Sequence, residues 1–157
     1  MNNSYIKDFE ENGFFILENI IEKKKISLLE NDISELFKNY SLNNESIHET
    51  CIRLNKEDKT LLYDLYKMIP DLYYFTNISI DLLELSRNIL PKGLISLQAQ
   101  AVMFGLPNDE RLKYDWHQES AYMVYDDTLH FQFPLFNKAT LENGTMSVLK
   151  KSHNLGK

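Results

Sequence analysis

Leu94-Ile95-Ser96-Leu97-Gln98-Ala99-Gln100-Ala101-Val102-Met103-Phe104 is the stretch on which the fold reading turns. Leu94, Ser96, Gln98, Gln100, Val102 and Phe104 alternate with Ile95, Leu97, Ala99, Ala101 and Met103, and Gly93, Gly105 and Pro107 bound the run. A period of two sends successive side chains to opposite faces, so the stretch predicts a strand. A polar loop over 106–115 follows. Further strands are expected over 116–124, 129–136 and 145–149, with a turn at Glu142-Asn143-Gly144 before the last. Several short strands with glycine-bearing turns imply a barrel or jelly roll.

Upstream the texture is helical. Tyr5, Ile6 and Phe9 recur at helical spacing, Asn12-Gly13 ends that segment, and residues 14–17 read as a short strand. Over 20–40, Ile21, Leu28, Leu29, Ile33, Leu36 and Phe37 form one apolar stripe with charges between, the pattern of an amphipathic helix. The pattern repeats over 55–68 (Leu61, Leu62, Leu65, Tyr66) and 77–90 (Ile80, Leu83, Leu85, Ile89), with Pro70 and Pro91 as terminators. The expected architecture is a single α+β domain over 1–157. Its mainly helical part, 1–91, packs on the strands of 92–157, which form a partial double-stranded β-helix or jelly-roll barrel.

Composition narrows the function. A chain of 157 residues, 43% apolar and 12% aromatic, buries one core. A formal charge of −6, with the acidic residues dispersed, is the wrong sign for a phosphate-neutralising surface, so nucleic acids are not expected partners. No apolar run approaches the ~20 residues of a membrane span, and the start lacks the basic-then-apolar order of a signal peptide. The expectation is a cytoplasmic protein without a membrane partner. Cys51, the single cysteine, has no internal disulfide partner and reads as a structural thiol. The Asn-x-Ser/Thr triplets at Asn2, Asn44, Asn77 and Asn143 carry no weight in a chain so rich in asparagine.

The candidate chemistry lies at Trp116-His117-Gln118-Glu119. On an extended strand, positions i and i+2 share a face, here an imidazole and a carboxylate, which are two ligands of a facial triad. Ferrous iron held on one face of an octahedron keeps three positions open for a bidentate 2-oxo acid and dioxygen. The plainer reading is chance, because an acidic residue often falls two positions after a histidine in so acidic a chain. His48 and His130 have no partner at ligand spacing and read as ordinary residues.

Trp116-His117-Gln118-Glu119 followed by Tyr122 resembles the WHQD-x-x-Y segment of the phytanoyl-CoA dioxygenase family. Phe133-Pro134-Leu135 and Ala139-Thr140-Leu141-Glu142-Asn143-Gly144-Thr145-Met146 are similar to that family's later strands and turn. Lys150-Lys151-Ser152-His153 falls where the family has Pro-Gly-Ser-His, and the stretch from Phe9 to Ile20 resembles its opening. The likeness runs from Phe9 to the last residue, with an unspecific helical middle. Two departures are Glu119 in place of aspartate and Lys150-Lys151 in place of Pro-Gly.

The resemblance implies an Fe(II)- and 2-oxoglutarate-dependent dioxygenase that hydroxylates a small-molecule or acyl substrate, with dioxygen as co-substrate. It implies His117 and Glu119 as metal ligands and places His153 in a structural turn. The family's second metal histidine and its 2-oxoglutarate-binding arginine lie beyond the Ser-His segment. No residue here matches either, so the expectation is a domain lacking its C-terminal strands. The resemblance also lines the pocket with Gln98, Gln100, Tyr122 and Phe133. Equally open are glutamines at a solvent edge and Phe133 as plain core. The alternative function is a non-catalytic truncated β-barrel module acting in binding or oligomerisation, with a second copy or a complementing chain as partner.

Overall fold

The computed structural model describes residues 4–90, 93, 95–97, 100–106, 114–122 and 128–155. Among the described residues five α-helices carry the regular structure: α1 (Ser4–Asn12), α2 (Lys23–Lys38), α3 (Ile47–Glu57), α4 (Lys59–Met68) and α5 (Tyr73–Ser86). α2 forms because Leu29, Ile33 and Phe37 stack at four-residue spacing on one face, and all three are fully buried. α1 stops where Gly13 adopts φ +82°, a left-handed cap that glycine supplies without Cβ cost.

The helix expected over 55–68 is two helices. Asp58 breaks them apart at φ −149°, ψ 81°, closing α3 with its backbone N–H on the Leu54 carbonyl. Its carboxylate then accepts from Leu61 N–H at 3.0 Å and so caps α4. A helix starting at Ile47 was not expected, although Ser46-x-x-Glu49 is the start signal of one. The Ser46 hydroxyl accepts from the Glu49 N–H while the Glu49 carboxylate accepts from the Ser46 N–H at 2.8 Å, a capping box. Behind it, Arg53 donates to both Glu45 oxygens at 3.0 and 3.1 Å, to Glu57 at 3.1 Å and to the Tyr40 carbonyl at 2.5 Å, tying the α2–α3 connection to α3.

α2 packs on α5 and α3, and α3 on α4. Leu29, Ile33, Phe37, Cys51, Leu54, Leu62, Leu65, Ile69, Phe75, Ile78 and Leu82 make one core between them. The later part of the chain lies on this helical layer through Val102, Phe104, Leu106, Phe131, Phe133 and Leu135. Phe104 stacks on Tyr66 at 5.0 Å with the rings 9° from parallel, and also meets Phe37 at 5.8 Å.

The barrel expected downstream is not found: among the described residues there is no β-strand, and the double-stranded β-helix or jelly-roll reading is corrected to a helical fold with extended segments laid upon it. Residues 14–17, 95–97, 100–104, 129–136 and 145–149 form no ladder, and within 116–122 the chain bends and then forms a 3-10 turn at Glu119–Tyr122. Residues 94, 98–99 and 123–124 of the expected strands lie outside the described residues. Alternation is nevertheless real. His130, Gln132 and Pro134 are exposed while Phe131, Phe133 and Leu135 turn toward the core. A period of two reports an extended chain with one buried face. A strand requires a neighbour at hydrogen-bonding distance as well.

Among the described residues no helix is long and apolar enough to cross a membrane. A cavity of about 390 Å³ opens between the start of α2 and α5, lined by Ile20, Ile21, Glu22, Lys25, Leu82 and Leu85 among others. It contains none of the candidate site residues expected from the sequence.

Candidate functional site

His117 and Glu119 converge. The His117 Nδ1 stands 2.7 Å from the Asp115 carbonyl, and a carbonyl only accepts, so Nδ1 carries the proton. The other ring nitrogen, Nε2, faces Glu119 Oε1 at 3.6 Å. A metal-binding histidine has this arrangement: one ring nitrogen anchored by a carbonyl, the other directed outward. Two donors held at right angles about 2.1 Å from one octahedral ion stand about 3 Å apart, slightly closer than this pair. Tyr122 and Tyr114 bracket the imidazole, with ring centroids 5.3 and 5.9 Å away and edge-on geometry.

The 3-10 turn Glu119–Tyr122 produces this geometry, where a strand was expected. Glu119 opens the turn, and its side chain folds back toward the preceding histidine. Both groups remain reachable from solvent, the His117 side chain 30% and the Glu119 side chain 43% exposed.

His130, read from the sequence as ordinary, brings its Nδ1 to 3.3 Å from the same Glu119 Oε1. No spacing rule connects position 130 to 119. Only the return of the chain along the helical layer brings them together. The three side chains do not amount to a cage, because among the described residues no group of three or more His, Cys, Asp or Glu is arranged to hold a metal ion. The expectation of a metal-binding protein is therefore corrected, in that the described residues contain no self-sufficient metal centre.

The remaining candidates separate. Gln100 accepts a hydrogen bond from Ser79 Oγ on α5 at 3.1 Å, which ties it to the helical layer. Gln98 lies outside the described residues. Phe133 packs against the core, and Tyr122 is largely exposed beside His117. His153 directs Nε2 at the Glu10 carbonyl, 3.1 Å away, and His48 lies in the first turn of α3.

Gln118, between the two converging residues, donates through Nε2 to the Ser152 carbonyl at 2.8 Å. Neither the bond nor its partner was visible in the sequence, since a side-chain amide reaching a distant backbone carbonyl leaves no pattern. Comparison of the chain with known protein families, with curated proteins and with solved structures finds no match.

Proposed function

We propose that this chain contributes to Fe(II)- and 2-oxoglutarate-dependent hydroxylation of a small-molecule or acyl substrate, with His117 and Glu119 as two of the iron ligands. The observation that carries the reading is the convergence of His117 and Glu119. Nδ1 is held by the Asp115 carbonyl, and Nε2 faces a carboxylate oxygen 3.6 Å away. With the ring neutral, the two donor atoms can share a divalent cation. The resemblance of residues 116–122 to the phytanoyl-CoA dioxygenase segment supplies the identity of that cation and of its co-substrate. The remaining positions on the ion are left to 2-oxoglutarate, dioxygen and groups outside the described residues.

Within that reading each residue has a physical task. The Asp115 carbonyl fixes the ring orientation, Glu119 contributes negative charge that stabilises a divalent ion, and Tyr114 and Tyr122 pack edge-on against the imidazole. Bound iron would activate dioxygen against the 2-oxo acid. Neither histidine nor glutamate serves as a base.

The test is anaerobic addition of Fe(II) and 2-oxoglutarate to the full chain, followed by visible absorption. A charge-transfer band is expected, and His117→Ala should abolish it while leaving the far-UV circular dichroism unchanged. Absence of the band in the unaltered chain at saturating iron would sink the reading.

A second reading has its own observation. Leu141, Met146, Leu149 and Leu155 are 85, 58, 53 and 78% exposed, an apolar load suited to self-association. A concentration-dependent sedimentation coefficient in the micromolar range, unaffected by iron, would favour an assembly role.

A further inference from the structure

The turn near the end of the described chain is bonded in two directions at once. Toward α1, the Lys151 N–H donates to the Asn12 carbonyl at 2.9 Å, and the His153 Nε2 meets the Glu10 carbonyl at 3.1 Å. Both acceptors belong to the last turn of α1, where carbonyls lack intrahelical partners. Toward the candidate site, the Ser152 carbonyl accepts from Gln118 Nε2 at 2.8 Å. The turn holds its own shape through the Ser152 N–H on the Leu149 carbonyl, the Asn154 N–H on the Lys151 carbonyl and the Leu155 N–H on the Ser152 carbonyl.

Gly13 completes the junction. A Cβ placed there would fall 2.4 Å from His153 Nδ1 and 2.9 Å from its Cγ. The imidazole therefore occupies the space a side chain at position 13 would need. Gly13 is required twice, for its left-handed φ of +82° and for this close approach.

We infer that residues 150–154 are a clasp that fastens the His117–Glu119 segment to the C-terminal end of α1, with Gly13, Gln118 and His153 as positioning residues. The segment they restrain is otherwise exposed: Tyr114, Trp116 and Tyr122 are 62, 73 and 71% accessible. Holding an imidazole and a carboxylate at a set separation on such a segment requires an anchor, because each free residue gains about 1–2 kcal/mol of backbone entropy when released. Gln118 is the one residue between the pair, so its bond to Ser152 restrains both neighbours. Two bonds in parallel, from the Lys151 N–H to Asn12 and from His153 to Glu10, tie the turn to α1, and the Ser152–Gln118 bond carries the restraint on to the site.

The importance of the clasp for iron rests on the proposed function, whereas its mechanical role does not. Trp116 is the only tryptophan of the chain and is adjacent to His117, so its fluorescence reports this segment alone. Time-resolved anisotropy of the full chain is the measurement. Gln118→Leu is expected to raise the amplitude of fast, nanosecond depolarisation at least twofold, and His153→Ala and Gly13→Ala, which leave the Lys151–Asn12 bond in place, to raise it by a smaller amount, with helical circular dichroism retained. The His153→Ala/Gln118→Leu double variant should show no more than Gln118→Leu alone, since once Gln118 is cut from Ser152 the state of the α1 bonds no longer reaches the segment. Unchanged anisotropy in folded His153→Ala and Gln118→Leu, or additive effects in the double variant, would overturn the clasp. If Gly13→Ala fails to fold, these other variants still decide. Normal anisotropy effects without iron uptake would remove the proposed function and leave the clasp. Iron uptake with unchanged anisotropy would do the reverse.

Discussion

Lys151 sits at φ 64°, ψ 8°, where the Cβ of an ordinary residue crowds the following carbonyl at a cost of about 1–2 kcal/mol. Glycine relieves that crowding but gains freedom in the unfolded chain worth about 0.4–1 kcal/mol. The balance favours Lys151→Gly by about 0.5 kcal/mol, so a thermal melt should rise by roughly 1–2 °C; a fall would show that the lysine side chain holds the turn in some other way. The sequence had marked this position as a departure from a Pro-Gly turn, and the left-handed backbone explains why glycine suits it. Cys51 is a second residue whose behaviour follows from its surroundings. Burial is the main cause that pushes its thiol up to about 11, against a smaller opposing effect of the Tyr66 hydroxyl. At pH 8 the native thiol should exchange with an aromatic disulfide reagent about a hundredfold more slowly than in urea. Equal rates would place Cys51 at the surface.

At the scale of elements, α3 depends on its capping box. Ser46→Ala removes a helix cap worth about 1 kcal/mol and should lower the melting temperature at pH 7 by about 3 °C. The same hydroxyl, followed by the Ser46 N–H, holds the Glu49 carboxyl below its ordinary value. A depressed carboxyl stabilises the folded state above the unfolded pKa, and that contribution is lost as pH falls through the folded pKa. The gap between Ser46→Ala and the unaltered chain should therefore narrow on acidification below the ordinary glutamate pKa of 4.5, measured as melting temperature against pH. A gap independent of pH would mean that the serine acts without Glu49. α1 and α2 were legible from their apolar stripes at 3.6-residue period, whereas the helix expected over 77–90 is α5 over Tyr73–Ser86, which buries Phe75, Ile78 and Leu82 and leaves Ile80 exposed. The break at Asp58 was harder to see, since Leu61, Leu62 and Leu65 continue the apolar spacing across it.

At the scale of the whole molecule, Phe37 joins the two parts: it is 1% exposed on α2 and touches both Tyr66 of α4 and Phe104 of the extended segment. Phe37→Ala should cost about 3–5 kcal/mol, a large share of a typical 5–15 kcal/mol stability, and chemical denaturation would measure it. A loss under 1 kcal/mol would mean that the helical layer and the extended segments do not share a core. α3 and the buried face of α5, where Ile80 is 48% exposed while Phe75, Ile78 and Leu82 face the core, were not read from the sequence. The sequence by itself determined α1, α2, α4, the existence of α5 and the placing of an imidazole and a carboxylate at positions 117 and 119. Those features depend on local periodicity and short spacing. Tertiary structure alone decided that the extended segments lie on the helices without a ladder among the described residues, that His130 reaches Glu119, and that the 150–154 turn ties Gln118 to α1. Strand pairing and such distant contacts depend on which segments meet in space, and neither alternation nor composition encodes a neighbour's position.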